Sequence, residues 1–211
     1  SACGPDFPFS YLGNEEVTIH RCFADQLRAL GPKLFPEIAK QPAFPASKLS
    51  SLEADVGSFD VWLKENRQRL GLNAEQMKTL QTRYASFAQA CRGGTPGSFD
   101  GTPVPSGELA EFILYLEGTR ELHQHPDAIE VPKAWNNLLA LPEVQRLQRT
   151  VWVHYMLGNF HAAQDGMAGK PHQADGAEIA HREYAEVRRL VAAGYPDPLG
   201  LAAASFKKDY Q

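Results

Sequence analysis

Histidines and glutamates are the residues of this chain best suited to metal chemistry, and four of them stand at helical spacing. His154 and His161 lie one heptad apart in VWVHYMLGNFHAAQDGMAG, so a helix there would carry both imidazoles on one face. Glu178 and His181 are three residues apart, the Glu-x-x-His spacing that gives a di-iron bundle a carboxylate and an imidazole from one helix. His123 and His125 add two more nitrogen donors. Such a bundle needs the motif twice, with further glutamates from facing helices, and the chain carries it once. The expected metal set is therefore none, with His154, His161, Glu178 and His181 as the ligands of the alternative reading, a metal-dependent enzyme. No serine or cysteine sits in a nucleophile elbow, and no cysteine pair has zinc or Cys-x-x-Cys redox spacing. No catalytic residue is assigned, no cofactor is expected, and the chain is read as a non-enzyme.

The elements that must position these residues are helices. The chain has 211 residues, 43% of them hydrophobic, enough for a substantial core. Its formal net charge is −4 with no basic block, which argues against nucleic acid and against a polybasic membrane contact. No apolar run approaches the roughly 18 residues needed to cross a bilayer. Ile19, Phe23, Leu27 and Leu30 recur at three-to-four spacing between Asn14 and Gly31-Pro32 and predict a first helix from Glu15 to Leu30. A proline-broken stretch follows. Leu52, Val56, Phe59 and Leu63 then mark a helix from about Leu49 to Leu70, closed by Gly71. Asn73 is the N-cap of the next, whose stripe is Met77, Leu80, Tyr84 and Phe87 and whose end is Arg92-Gly93-Gly94.

Glycine, proline and serine dominate GGTPGSFDGTPVPSG, which reads as a boundary between a region 1–92 and a region 107–211, with 93–106 as the linker. It is not read as a phosphate cradle, because a helix and not a strand precedes it. Beyond it the chain repeats with a period of about 40 residues. Tyr115 aligns on Tyr155, Gly118 on Gly158, and Trp135 with Leu138 and Leu139 on Tyr184 with Val187 and Val191. Each unit reads as a helical hairpin.

At these residues the chain resembles the tetratricopeptide family. Gly118 and Gly158 stand where that family has a small residue at the crossing of two helices, Trp135 and Tyr184 where it has a large aromatic, and Pro142 and Pro196 near the end of each unit. Glu117 replaces a usual leucine, His154 a common tryptophan, and the second loop is long. The resemblance implies an all-α fold in which hairpins stack as a short solenoid behind an N-terminal helical region, with GLAAASFKKDY as the first helix of a third unit. It also implies a concave groove lined by Phe112, Tyr115, Thr119, His123, Trp152, Tyr155 and Asn159, suited to a peptide or protein segment, while His154 and His161 face neighbouring helices. The function expected is protein binding or scaffolding, or membership of a larger extracytoplasmic complex.

Export is expected from the start of the chain. Ser1-Ala2-Cys3 resembles the end of a bacterial lipoprotein signal, with Cys3 as a lipid anchor, and CGPDFP resembles the mature start of a group of exported bacterial proteins; the alternative is that Ser1 and Ala2 come from a cloning vector. A periplasmic or otherwise extracytoplasmic place would allow one disulfide among Cys3, Cys22 and Cys91: Cys3 with Cys22, or Cys22 with Cys91 if Cys3 is lipidated.

Overall fold

The computed structural model describes residues 49–126, 128–165 and 176–209. The expected helix from Glu15 to Leu30, the N-terminal arm and a Cys3–Cys22 pair lie outside the described residues. Those that are described form seven α-helices and two short 3₁₀ turns, with no strand among them. The fold is all-α, and as far as Phe206 the described residues belong to one compact unit.

Helix α1 (Ser51–Asn66) starts at a capping box in which the Ser50 side chain receives the Glu53 N–H and Glu53 receives the N–H of Ser50. Helix α2 (Ala74–Arg92) starts in the same way from Asn73 and Gln76. Gly71, with φ +66°, makes the left-handed turn between them. The two helices meet through the stripes expected of them. Phe59 stacks on Tyr84 with ring centroids 3.9 Å apart, and Leu63, Met77, Leu80 and Phe87 are buried around the pair.

Helix α3 (Ala110–Gln124) follows the first 3₁₀ turn, Ser106–Leu109, and pairs with the short α4 (Lys133–Leu139). The second 3₁₀ turn, Glu143–Gln145, leads to α5 (Thr150–Asp165), which pairs with α6 (Gly176–Ala192); α7 (Leu201–Asp209) comes last. The Asp197 carboxylate accepts the N–H groups of Leu201 and Ala202 at 2.7 and 3.0 Å and so supplies the N-terminal cap of α7.

Glycine sets the closeness of both hairpins. A Cβ on Gly118 would lie 2.2 Å from Cδ1 of Trp135, and one on Gly158 would lie 2.5 Å from Cε1 of Tyr184. No other residue leaves room for the ring on the facing backbone.

The Gly/Pro-rich stretch expected as a linker lies packed on α2 and α3. The Phe99 ring stacks on Phe87 at 5.8 Å and meets Tyr84 edge-on at 5.9 Å. Arg120 donates to the Gly97 carbonyl at 2.6 Å, and Arg83 pairs with Asp100 at 3.0 Å. An irregular backbone hides its apolar anchors from a periodicity search, because Phe99 and the buried Val104 share no helical register.

Candidate functional site

Four of the seven residues expected to line a groove are in the core. Phe112, Tyr115, Thr119 and Trp152 are buried, because the first helices of the two hairpins turn these side chains towards α1 and towards each other. Thr119 gives its hydroxyl to its own helix at the Tyr115 carbonyl, 3.0 Å away. Tyr155 and Asn159 are half-buried, Asn159 accepting the Tyr184 hydroxyl at 2.9 Å, and His123 is exposed with Nδ1 2.8 Å from the Thr119 carbonyl. What remains open along this line is a small apolar hollow of about 140 Å³ between Leu122, Met156, Asn159 and Phe160.

The residues of the metal alternative do not come together as a ligand set. His154 meets Glu183 on α6, with Nδ1 2.6 Å from Oε2. His161 is half-buried with its ring against Phe160, and burial pushes its pKa down. Glu178 and His181 lie exposed on α6. Among the described residues no three histidine, cysteine, aspartate or glutamate side chains group as a metal site would require. Cys91 is a free thiol in the core, its pKa pushed up to about 11 by burial, and Cys22, its expected alternative partner, lies outside the described residues.

The densest polar chemistry lies instead where α1, α2, α3 and the start of α5 meet. Asp55 is fully buried. Its Oδ1 accepts the Tyr84 hydroxyl at 2.7 Å and Nη2 of Arg149 at 2.6 Å, while Oδ2 faces Nη1 of Arg92 at 2.9 Å. The Arg149 guanidinium, also fully buried, lies between the rings of Phe112 and Trp152, 4.5 Å from each centroid. Burial, with Asp55 next to it, pushes the Tyr84 phenol well up, which keeps it a hydrogen-bond donor. Two guanidinium groups would leave this interior positive, and Glu111 supplies a second carboxylate. Its Oε2 accepts the N–H groups of Gln148 and Arg149 at 2.8 and 3.1 Å, so α3 holds the entry to α5.

Glu111 is 5% exposed, and that small opening leads to a cleft of about 470 Å³. From α1 and the turn after it come Trp62, Glu65, Asn66 and Arg69; from the first 3₁₀ turn and α3 come Glu108 and Glu111. The segment leading into α5 adds Val144, Gln145, Leu147 and Gln148. Arg69 and Glu108 clasp across the cleft in a two-bond pair, 2.7 Å each. Burial pushes the Glu111 carboxyl up to about 7 against the pull of its two N–H donors and Arg149. Beside this polar floor, Val144 and Leu147 are 79% and 41% exposed.

The sequence carried a signal for two of the buried charges. Asp55 precedes Phe59 by four residues and Glu111 precedes Tyr115 by four, so each is a carboxylate in register with a core stripe. Arg149 stands outside any stripe, and its partner Asp55 is 94 positions away.

Comparison with protein-family models, with curated proteins and with solved structures finds no match to this chain.

Proposed function

We propose that this chain is a non-catalytic binding module, in which a short tetratricopeptide-like stack of hairpins presents a preformed cleft to a segment of a partner protein. The observation that carries the reading is the pairing of exposed Val144 and Leu147 with a polar-floored cleft. Large apolar side chains next to buried hydrogen-bonding groups are the arrangement by which a protein surface recognises an extended segment. The hairpins support the same reading: the glycine–aromatic crossings at Gly118 and Gly158 recur about 40 residues apart, and stacked hairpins form rigid binding surfaces. The resemblance of Cys3–Pro8 to exported bacterial proteins supports a place outside the cytoplasm, with Cys3 as a lipid-anchor residue.

The test is site-specific photocrosslinking in a bacterial envelope extract. A crosslinking residue in place of Val144 should capture a discrete partner that excess unmodified protein competes away, and the same residue in place of exposed Thr82 should not. Identical capture from both positions, or none from position 144, would count against the binding function.

A further inference from the structure

We infer that Glu111 is a pH-sensitive latch: protonated, it holds the segment 143–148 closed on α3, and its ionisation favours local release of that segment. The latch needs no partner and so stands apart from the binding function.

The segment is tied to the other helices at few points. Gln145 and Arg146 give their N–H groups to Pro142 and Glu143, and the Arg146 side chain donates to the Leu141 carbonyl and to Thr150, all close by in the chain. Only the N–H groups of Gln148 and Arg149 reach across to α3, and both end on one oxygen, Oε2 of Glu111, at 2.8 and 3.1 Å. One side chain from beyond α6 also reaches the segment, the Tyr195 hydroxyl donating to Glu143 at 2.6 Å. Glu143, Val144, Gln145 and Leu147 are exposed. A stretch with exposed side chains and one shared backbone acceptor is where a fold opens locally. Its inner end stays fixed, because the Arg149 side chain is pinned on Asp55 at 2.6 Å, so release pivots there. Val144 and Leu147 ride on the segment, and one wall of the cleft moves with it.

The carboxyl that makes the tie is poorly placed to carry charge. Glu111 is 5% exposed, and the cations around it are committed elsewhere. At the start of α5, Arg149 spends its guanidinium on Asp55 and the Gln148 carbonyl. After α1, Arg69 is held at both outer nitrogens by Glu108 of the 3₁₀ turn, and α1 itself brings Glu65, a further negative group. From α2, Arg92 faces Asp55, and Tyr84 donates its hydroxyl to Asp55. Ionised Glu111 is thus a buried charge met by two neutral donors and by the shared pull of Arg149, and such a charge gains by reaching water. The cleft of about 470 Å³ lies beside it, so protons exchange without unfolding.

The direction follows from the two forms. Burial pushes the carboxyl up to about 7 in the closed form, against an ordinary 4.5 once the group is solvated. Below 4.5 both forms are protonated and pH does not favour release. Between 4.5 and 7 only the released form ionises, so each rise in pH favours release, and the gain levels off above 7.

The experiment is residue-resolved amide hydrogen exchange of the native chain at pH 5 and pH 8, corrected for the intrinsic exchange rate. Protection of the Gln148 amide should fall by about tenfold or more between the two, and at pH 8 it should lie well below that of Leu80 in the core of α2. In Glu111→Gln, whose amide oxygen can still accept both N–H groups, the fall should vanish. Protection of Gln148 that does not change with pH, or that falls as far in Glu111→Gln, overturns the latch. Protection equal to that of Leu80 at pH 8 overturns it too, since the amide would then open only with the whole chain. If the variant does not fold, the Glu111 carboxyl carbon resonance of the native chain decides. A titration midpoint more than about one unit above 4.5 sustains the latch, and any lower midpoint overturns it.

Discussion

The two hairpins solve one packing problem with different polar details. In α3/α4 the Trp135 ring lies on Gly118 and its Nε1–H donates to the Tyr115 carbonyl at 3.1 Å. In α5/α6 the Tyr184 ring lies on Gly158 and its hydroxyl donates to Oδ1 of Asn159 at 2.9 Å. The shared feature is the missing Cβ. What satisfies the polar tip of the aromatic is interchangeable: a backbone carbonyl one turn earlier in one hairpin, a side chain one residue later in the other. The hairpins differ more in how they are held. The second helix α4 has 7 residues against 17 in α6, and α5 enters on an ionic anchor made by Glu111, Arg149 and Asp55. Close crossings thus make each hairpin, and buried charge fixes the second onto α1 and α2.

The anchor should respond most to mutation. Arg149→Met would strand Asp55 with Arg92 alone to offset its charge and should cost about 3–5 kcal/mol by denaturant unfolding. A cost under about 1 kcal/mol would show that the second hairpin is not held by this pair.

Next comes the pH dependence of Glu111. Its carboxyl stands at about 7 in the folded chain against an ordinary 4.5, so between these values the folded chain keeps a proton that the unfolded chain has released. The stability it contributes is fully present below pH 4.5 and is lost as pH rises through 7, a swing of about 3 kcal/mol. Unfolding free energies of the native chain and of Glu111→Gln, compared at pH 5 and pH 8, should diverge in that direction. Parallel pH profiles would remove the titration from the account of the anchor.

The crossings rank third. Gly118→Ala and Gly158→Ala should each cost about 1–3 kcal/mol by overpacking, despite the gain in helix propensity. The cost should be larger at Gly118, where the added carbon would come 0.3 Å closer to its ring (2.2 against 2.5 Å). A stabilised Gly158→Ala would show that the second hairpin does not share the crossing of the first. The smallest effect belongs to the polar tip. Asn159→Ala removes one acceptor of the Tyr184 hydroxyl and should lower stability by about 1 kcal/mol. A loss as large as that at Gly158 would make the tip, and not the missing Cβ, the determinant of the pairing.

The crossings were legible in the sequence because a hairpin is a local object. Tyr115 with Gly118, and Tyr155 with Gly158, repeat at a fixed period, and the aromatic partner lies within about one helix of each. The stripes of α1 and α2 were legible for the same reason, and Asn73 announced its capping box. Which face of α3 and α5 would be covered was not, since that depends on α1 and α2 packing from far along the chain. Trp152 is thus in the core against Arg149, although its spacing equally suits a groove. The cleft has no sequence pattern at all. It brings together one end of α1, a 3₁₀ turn, one side of α3 and the approach to α5, and its carboxylates belong to no shared motif.

The most direct measurement of the central claim is affinity and melting temperature on one variant, Val144→Ser, using the partner identified by crosslinking at position 144. Val144 is 79% exposed and borders the cleft, so the substitution leaves the core intact. A preformed binding cleft requires affinity to fall several-fold or more with the melting temperature unchanged, because an apolar contact at the mouth is lost while the core is untouched. Unchanged affinity would contradict binding at this cleft, and affinity lost only in step with unfolding would contradict a preformed site.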